Sequence, residues 1–208
     1  MNASIKCLWV AGMLGMALTV SGGNTNEDPW ERARRGGVVL LMRHGRTGPG
    51  GRGPMDLEDR RTQRLLSPEG EEQAARIGRV LKAEGVDTRT VRSSRLFRAR
   101  DTARFAFGDY ETWEVLDALD APGGLPDAER TRQLRELFAG IDGPGNVVLV
   151  THSPNVHSII GRAVAEGSVL VLEPDGQGGV RLIGSLDIDA RARELGVEDP
   201  PDEEEKSP

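Results

Sequence analysis

Two short, uninterrupted apolar runs constrain the fold more than any other feature of the sequence. Residues 37–42 and 146–150 are dominated by Val and Leu, with no alternation of polar and apolar side chains. Such runs are typical of strands buried on both faces, which occur in parallel sheets covered by helices on each side. Helical stripes and turn signals separate the runs, so strands and helices alternate. The sequence therefore predicts an α/β fold, a three-layer α/β/α sandwich around a mainly parallel sheet.

Helix and turn signals predict the other elements. Ser67 is a good N-cap residue, Pro68 suits the first helical position, and the apolar stripe that follows ends at Gly85. Further helices are predicted from Leu96, over residues 126–138 and after residue 150. Further strands are predicted over residues 90–92, 113–116, 168–172 and 180–188, the last two joined in a hairpin by the turn residues 174–176.

The two ends of the chain differ in composition from its middle. Residues 1–23 have a basic start, an apolar run and a small-residue end, which is typical of a secretory signal peptide, although an uncleaved membrane anchor would show the same pattern. Residues 24–35 are predicted to be a linker, residues 36–190 one domain, and residues 191–208 an acidic disordered tail. We therefore expect an exported protein, periplasmic or secreted, with no membrane span after signal cleavage.

Composition argues against several kinds of partner. A chain of 208 residues suits one main core, and its formal net charge of −6 favours neither nucleic acid nor an anionic membrane surface. The three histidines and the single cysteine have no metal-ligand spacing, so we expect no metal and no cofactor. The sequence leaves the oligomeric state open.

Two of the three histidines directly follow the two buried strands. His44 and His152 thus fall at the carboxyl edge of the predicted sheet, where open α/β sheets bind ligands. Arg43 adjoins the first histidine, and Arg98 opens a predicted helix. Because arginine presents a planar fork of donors that matches phosphate oxygens, this set predicts a phosphate pocket and a small phosphorylated substrate.

These residues resemble the motifs of the histidine phosphatase superfamily, which has the phosphoglycerate mutase-like fold. The resemblance covers nearly all of residues 38–161 and implies the same fold and a phosphatase activity. It rests on Arg43-His44-Gly45-Arg46-Thr47, Leu66-Ser67-Pro68-Glu69-Gly70 with Gln73-Ala74, Ser93-Ser94 with Arg98-Ala99 and Thr102-Ala103, and Val150-Thr151-His152, in the order of the family.

The resemblance implies a role for each of these polar residues. His44 would be the catalytic nucleophile and form a phosphohistidine, which water then hydrolyses without a metal. Arg43, Arg98 and His152 would bind the phosphate oxygens of the substrate and stabilise the transition state. Thr47 would either donate its hydroxyl to the phosphate or stabilise the turn.

The resemblance also implies a general acid after the strand that follows the Arg98 helix. Asp117 is the first candidate and Asp120 the second, while Glu114 is less suitable because it falls within a predicted strand. His157 is interpreted as a packing or rim residue, and Asn155 would line the pocket or cap its helix. Three arginines near the site are predicted to be surface residues: Arg95, Arg100 and Arg104.

Two departures from the family pattern favour simple hydrolysis. Gly48-Pro49-Gly50 stands where mutase-like members carry an asparagine, and His152 is not followed by the acidic residue of the phytase-like branch. We expect a phosphomonoester hydrolase that acts on a substrate such as a sugar phosphate or an envelope phosphate. A phosphohistidine protein phosphatase and a non-catalytic phosphate-binding protein are the alternatives.

Overall fold

The computed structural model describes residues 27–197, so the predicted signal peptide and most of the predicted tail lie outside the described residues. Within them, six strands form one sheet in the order β3-β2-β4-β1-β5-β6. No helix in this part of the chain is both long and apolar enough to cross a membrane. The strands are β1 (Val39–Arg43), β2 (Thr90–Ser93), β3 (Glu111–Thr112), β4 (Val147–Thr151), β5 (Val169–Pro174) and β6 (Val180–Leu186).

The pairing of the two central strands positions the site. β1 and β4 are parallel, with Arg43 opposite Thr151 in the register. The amide nitrogen of His44 donates to the carbonyl oxygen of Thr151 at 3.0 Å, so the chain leaves both strands at the same point of the sheet edge. β5 pairs antiparallel with β1 and forms the predicted hairpin with β6. The first four strands are parallel to one another, which confirms a mainly parallel sheet.

Helices cover both faces of the sheet, which confirms the three-layer sandwich. Leu40 and Met42 of β1 face a cluster that includes residues of α1, α2, α3 and α6. Val39 and Leu41 face the opposite cluster, formed with α4 and α5. The helices are α1 (Pro29–Arg35), α2 (Pro68–Ala83), α3 (Phe97–Phe107), α4 (Asp127–Ala139), α5 (Ser153–Ile160) and α6 (Ile188–Leu195).

The structure corrects both predicted boundaries of the domain. The predicted linker, residues 24–35, contains α1, whose N-cap Asp28 accepts a hydrogen bond from the amide of Trp30. Trp30 and Ala33 are buried in the core, but two apolar residues in a short polar segment are too few to show a stripe. The domain also continues past residue 190, because Ala192 of α6 is buried in the same cluster.

The strand predicted over residues 113–116 is wrong. β3 comprises only Glu111–Thr112, and Glu114–Leu116 form one turn of 3-10 helix. Val115 and Leu116 are buried beneath α4 and α5, which explains why their apolar character resembles that of a strand. The chain therefore turns inward just before Asp117, and this changes the position of the predicted general acid.

Candidate active site

The His44 imidazole is buried at the end of β1, and the backbone fixes its tautomer. Nδ1 lies 2.8 Å from the carbonyl oxygen of Gly45. Because a carbonyl oxygen only accepts, Nδ1 carries the proton and Nε2 keeps its lone pair. Burial lowers the pKa of His44 from 6.5 to about 4, and the charges of Arg98 and Arg43 act in the same direction. His44 is therefore neutral at physiological pH, with the free nitrogen that a nucleophile requires.

The second predicted histidine lies beside the first, with the two ring centroids 5.3 Å apart. Nε2 of His152 lies 2.8 Å from Oγ of Ser94, whose hydroxyl donates to Asp117 at 3.0 Å. Since the Ser94 proton is used in that bond, Nε2 of His152 is the donor to Ser94. Nδ1 of His152 is buried without a hydrogen-bond partner among residues 27–197. Burial, followed by the charge of Arg98, lowers the pKa of His152 well below 6.5.

Both predicted arginines contribute their charge to the pocket. The Arg43 guanidinium donates from Nη1 to the carbonyl oxygen of Val164 at 2.7 Å, while its buried Nε has no partner within the described part of the chain. Arg98 is half-buried, and burial lowers the pKa of its guanidinium. The two arginines thus make the pocket beside the two neutral histidines cationic, and Arg43 Nε is an unused donor suited to a tetrahedral oxyanion. Within residues 27–197, no group of three or more His, Cys, Asp or Glu side chains could hold a metal ion.

Asp117, the first choice for the general acid, does not reach the pocket. Its side chain is fully buried and accepts hydrogen bonds from Ser94 Oγ, from the amide of Arg95 at 2.7 Å and from Arg95 Nε at 2.6 Å. Asp117 therefore positions His152 through Ser94 and is not available to protonate a leaving group. Arg95, predicted to be a surface residue, is its ion-pair partner. Asp120, the second candidate, is exposed. Its negative charge raises the pKa of Arg98 and so partly offsets the effect of burial.

Thr47 has a partner that sequence reasoning missed. Its hydroxyl donates to Oε1 of Glu166 at 2.9 Å, so the structure supports the stabilising alternative for Thr47 over direct phosphate binding. Glu166 lies in the segment between α5 and β5, which contains none of the family motifs. The available signal was topological: β5 pairs antiparallel with β1, so the residues before β5 lie beside the residues after β1.

The other family motifs hold the loop that carries His44. The amide of Gly45 donates to Thr102 Oγ1 at 2.9 Å, and this hydroxyl donates to the carbonyl oxygen of Arg98 at 2.7 Å. Gln73 accepts from the amide of Arg46 at 3.0 Å. Near it, a Cβ on Gly70 would lie 2.0 Å from the backbone oxygen of Arg46, so only glycine fits there. The motifs at 66–74 and 98–103 therefore fix the backbone around the nucleophile.

Two further buried side chains support the segment before Asp117. Asn155 neither lines the phosphate pocket nor caps α5, because its amide nitrogen donates to the carbonyl oxygens of Leu116 and Asp117. Arg130, which the sequence did not single out, also donates to the Asp117 carbonyl oxygen, at 2.6 Å. His157 is exposed on α5, in agreement with a rim position.

The fold and the site together indicate a class of chemistry. A neutral, tautomer-fixed histidine beside two arginines, at the carboxyl edge of a parallel sheet, is suited to accept a phosphoryl group. The family model described as histidine phosphatase superfamily (branch 1) matches residues 39–121. This region contains the motifs around His44 and Arg98, so the chain is similar to the histidine phosphatase superfamily there, in agreement with the resemblance of its motifs.

Solved structures show the same fold at low sequence identity. The protein histidine phosphatase SixA complexed with tungstate is 17% identical with a TM-score of 0.53, over 74% of this chain and 98% of that one. A variant of phosphoserine phosphatase from Entamoeba histolytica, in complex with phosphoserine, is 15% identical with a TM-score of 0.51, over 73% and 97% of the two chains. No curated protein matches the sequence significantly.

Proposed function

We propose that this protein hydrolyses small phosphomonoesters through a phosphohistidine intermediate on His44. The observation that carries this proposal is the hydrogen bond from Nδ1 of His44 to the carbonyl oxygen of Gly45, at 2.8 Å. It leaves Nε2 unprotonated in a pocket with two guanidinium groups. A neutral imidazole can attack phosphorus, and the surrounding cations stabilise the charge on the transferred oxygens.

In the first step, Nε2 of His44 attacks phosphorus while the bond to the ester oxygen breaks. Arg43 and Arg98 bind the non-bridging oxygens, with the buried Nε of Arg43 as an available donor, and His152 lies beside the nucleophile. The departing alkoxide takes a proton from a carboxylic acid, the role we assign to Asp120 because it is exposed and lies near Arg98. The products of this step are an alcohol and the phosphohistidine.

In the second step, water attacks the phosphorus of the phosphohistidine. The Asp120 carboxylate accepts the proton of the water, the bond from phosphorus to Nε2 breaks, and the electron pair returns to the imidazole. Inorganic phosphate then leaves. Because Nδ1 of His44 keeps its proton and its bond to Gly45 throughout, the nucleophile returns to its starting tautomer.

The substrate belongs to small phosphate esters such as a sugar phosphate or an envelope phosphate. A phosphohistidine protein phosphatase is the second candidate, and the burial of Asp117 favours it. An imidazole is a better leaving group than an alkoxide, so a phosphohistidine substrate depends less on a well-placed acid. We also propose that the enzyme acts after export, as residues 1–23 suggest; cell fractionation of the full-length chain would test this.

The deciding experiment compares release of phosphate from an aryl phosphate by the wild type, by His44→Ala and by His157→Ala. The exposed His157 lies on α5 and provides a matched control for loss of an imidazole. We expect His44→Ala to lose activity by about 1,000-fold or more and His157→Ala to stay within about twofold of the wild type. Equal rates for the wild type and His44→Ala would refute the proposed mechanism and leave a non-catalytic phosphate-binding protein.

Direct trapping of the intermediate provides an independent test. Rapid acid-free quenching of a reaction with labelled substrate should yield a protein-bound phosphate that is stable to base, labile to acid and absent from His44→Ala. The reaction should also proceed at an unchanged rate with a chelator present. A dependence on added metal would contradict a mechanism that uses arginines alone for charge stabilisation.

A further inference from the structure

The carboxylate of Glu166 lies at the rim of the phosphate pocket, where a negative charge is unfavourable for the binding of an anion. Oε1 of Glu166 accepts from Thr47 and lies 3.4 Å from Nη2 of Arg43 and 3.8 Å from Nη2 of Arg64. It thus partly neutralises Arg43, one of the two guanidinium groups of the pocket. A fixed negative charge there weakens the binding of a phosphate dianion, so Glu166 needs an interaction that offsets this cost.

The backbone holds Glu166 in this position. The amide of Gly167 donates to the carbonyl oxygens of His44 at 2.9 Å and Arg43 at 3.2 Å. Gln73 Nε2 donates to the backbone oxygen of Glu166 at 3.2 Å. A Cβ on Gly167, which has φ of +80°, would lie 2.4 Å from the Gln73 side chain, so glycine is required there. The carboxylate is therefore tied to the end of β1.

One oxygen of this carboxylate remains available. All the contacts named above use Oε1, and within residues 27–197 no side chain or backbone group donates to Oε2. The side chain retains 20% of its exposure beside Arg43, so part of it is open to solvent. A ligand group that donates hydrogen bonds or carries positive charge can bind Oε2, whereas an anionic group is repelled.

We propose that Glu166 determines specificity: it selects phosphate esters that carry a cationic, amine-type group close to the phosphate and disfavours those with a second anionic group. This inference rests on the proposed function, because it assumes that the ester phosphate binds beside Arg43. The phosphate binds the arginines beside the two histidines, while Oε2 of Glu166 binds the amine. The rim arginine Arg64 is held beside the same carboxylate, so it offers less attraction to a second anion than its charge suggests.

The test uses binding of phosphonates, which are not hydrolysed. Calorimetry at neutral pH compares 2-aminoethylphosphonate with 3-phosphonopropionate, which resemble each other in size and differ in the charge of the distal group. We expect the wild type to bind the amine at least about tenfold more tightly, and Glu166→Gln to reduce that ratio by about tenfold. Propylphosphonate, the neutral reference, should bind somewhat more tightly to Glu166→Gln than to the wild type.

Glu136→Gln is the matched control. Glu136 lies on α4 near Asn146 and Val147, at the opposite edge of the sheet, and its loss changes net charge by the same amount. The preference of Glu136→Gln for the amine ligand over the carboxylate ligand should equal that of the wild type. A ratio unchanged in Glu166→Gln, or a wild-type preference for the carboxylate ligand, would overturn the proposal.

The outcomes separate this inference from the proposed function. If the phosphonates bind with the expected ratio but no phosphoenzyme forms, hydrolysis fails and the selectivity stands. If hydrolysis occurs and the ratio is insensitive to Glu166→Gln, only the selectivity fails. Binding of none of the three phosphonates would refute the selectivity, and the phosphoenzyme alone would then decide the proposed function. Should Glu166→Gln not fold, Glu166→Asp, which withdraws the carboxylate by one methylene, is expected to lower the ratio about threefold, and an unchanged ratio would count against the proposal.

Discussion

Two carboxylates near the site, Asp117 and Glu166, occupy opposite surroundings. Asp117 is fully buried and uses both oxygens to accept hydrogen bonds from Ser94 and Arg95. Glu166 is partly exposed, and its contacts converge on Oε1. The first belongs to an interior scaffold beneath His152, and the second to a charged rim beside Arg43. Burial and hydrogen-bond saturation therefore determine whether a carboxylate positions catalytic groups or meets the ligand.

Truncating the buried carboxylate should produce the largest effect. Asp117→Ala leaves the Arg95 guanidinium without its main partner and Ser94 without its acceptor, so we expect a loss of about 3–5 kcal/mol in the free energy of unfolding. Glu166→Gln should lose less than about 1 kcal/mol, as is typical of partly exposed pairs. Urea denaturation measures both. Equal losses would show that the two surroundings do not differ in the way described.

Acid should destabilise the protein through its buried histidines, as the numbers for His44 show. The pKa of His44 is about 4 in the folded state and 6.5 ordinarily, so between these values the unfolded chain binds a proton that the folded chain does not. Stability should therefore fall as pH decreases from about 6.5 to 4, by on the order of 3 kcal/mol for His44. Denaturation curves of the wild type and His44→Asn across this range measure the difference.

The lowered pKa of His44 also predicts how kcat/KM declines at acidic pH. Protonation of Nε2 removes the nucleophile, so kcat/KM should persist below pH 6.5 and decline only near pH 4 for the His44 titration. An inactivating group with a pKa near 6.5 in the free enzyme would contradict the buried, neutral state of His44. An NMR titration of the His44 imidazole measures its pKa directly.

The sequence was sufficient to predict the elements that carry the site. The strands before His44 and His152 are buried on both faces, and their sequences are uninterrupted apolar runs. If such strands are parallel, their carboxyl ends lie at the same edge of the sheet. The burial of Asp117 could not be predicted in this way. It depends on the inward 3-10 turn at Glu114–Leu116 and on donors from Arg130 and Asn155, which are distant in sequence and carry no pattern.

Removing the link between the scaffold and His152 should have an intermediate effect. Ser94→Ala deletes the hydroxyl that accepts from Nε2 of His152 and donates to Asp117. We expect kcat to fall about 10- to 100-fold, with little change in KM, because the tautomer and orientation of His152 are no longer fixed. Nitrogen chemical shifts of the imidazole should show a mixture of tautomers.

Ser93→Ala is the matched control for this change. Ser93 is also fully buried, but its hydroxyl donates only to the backbone oxygen of Ser94 and does not contact either histidine. Its kcat should stay within about threefold of the wild type, although some stability is lost. A fall in kcat equal to that of Ser94→Ala would assign the effect to packing instead of to His152.

Substitution of the rim residue Arg64 should give the smallest effect. Its side chain is 52% exposed, donates to the backbone oxygen of Gly48 and lies 3.8 Å from Glu166, so solvent screens its charge. We expect Arg64→Ala to raise KM for an aryl phosphate about twofold at low salt, with kcat unchanged. In 0.5 M salt the difference should disappear, whereas the deficit of Ser94→Ala should persist because buried hydrogen bonds are screened little. A salt-resistant effect on kcat would instead place Arg64 in the binding site itself.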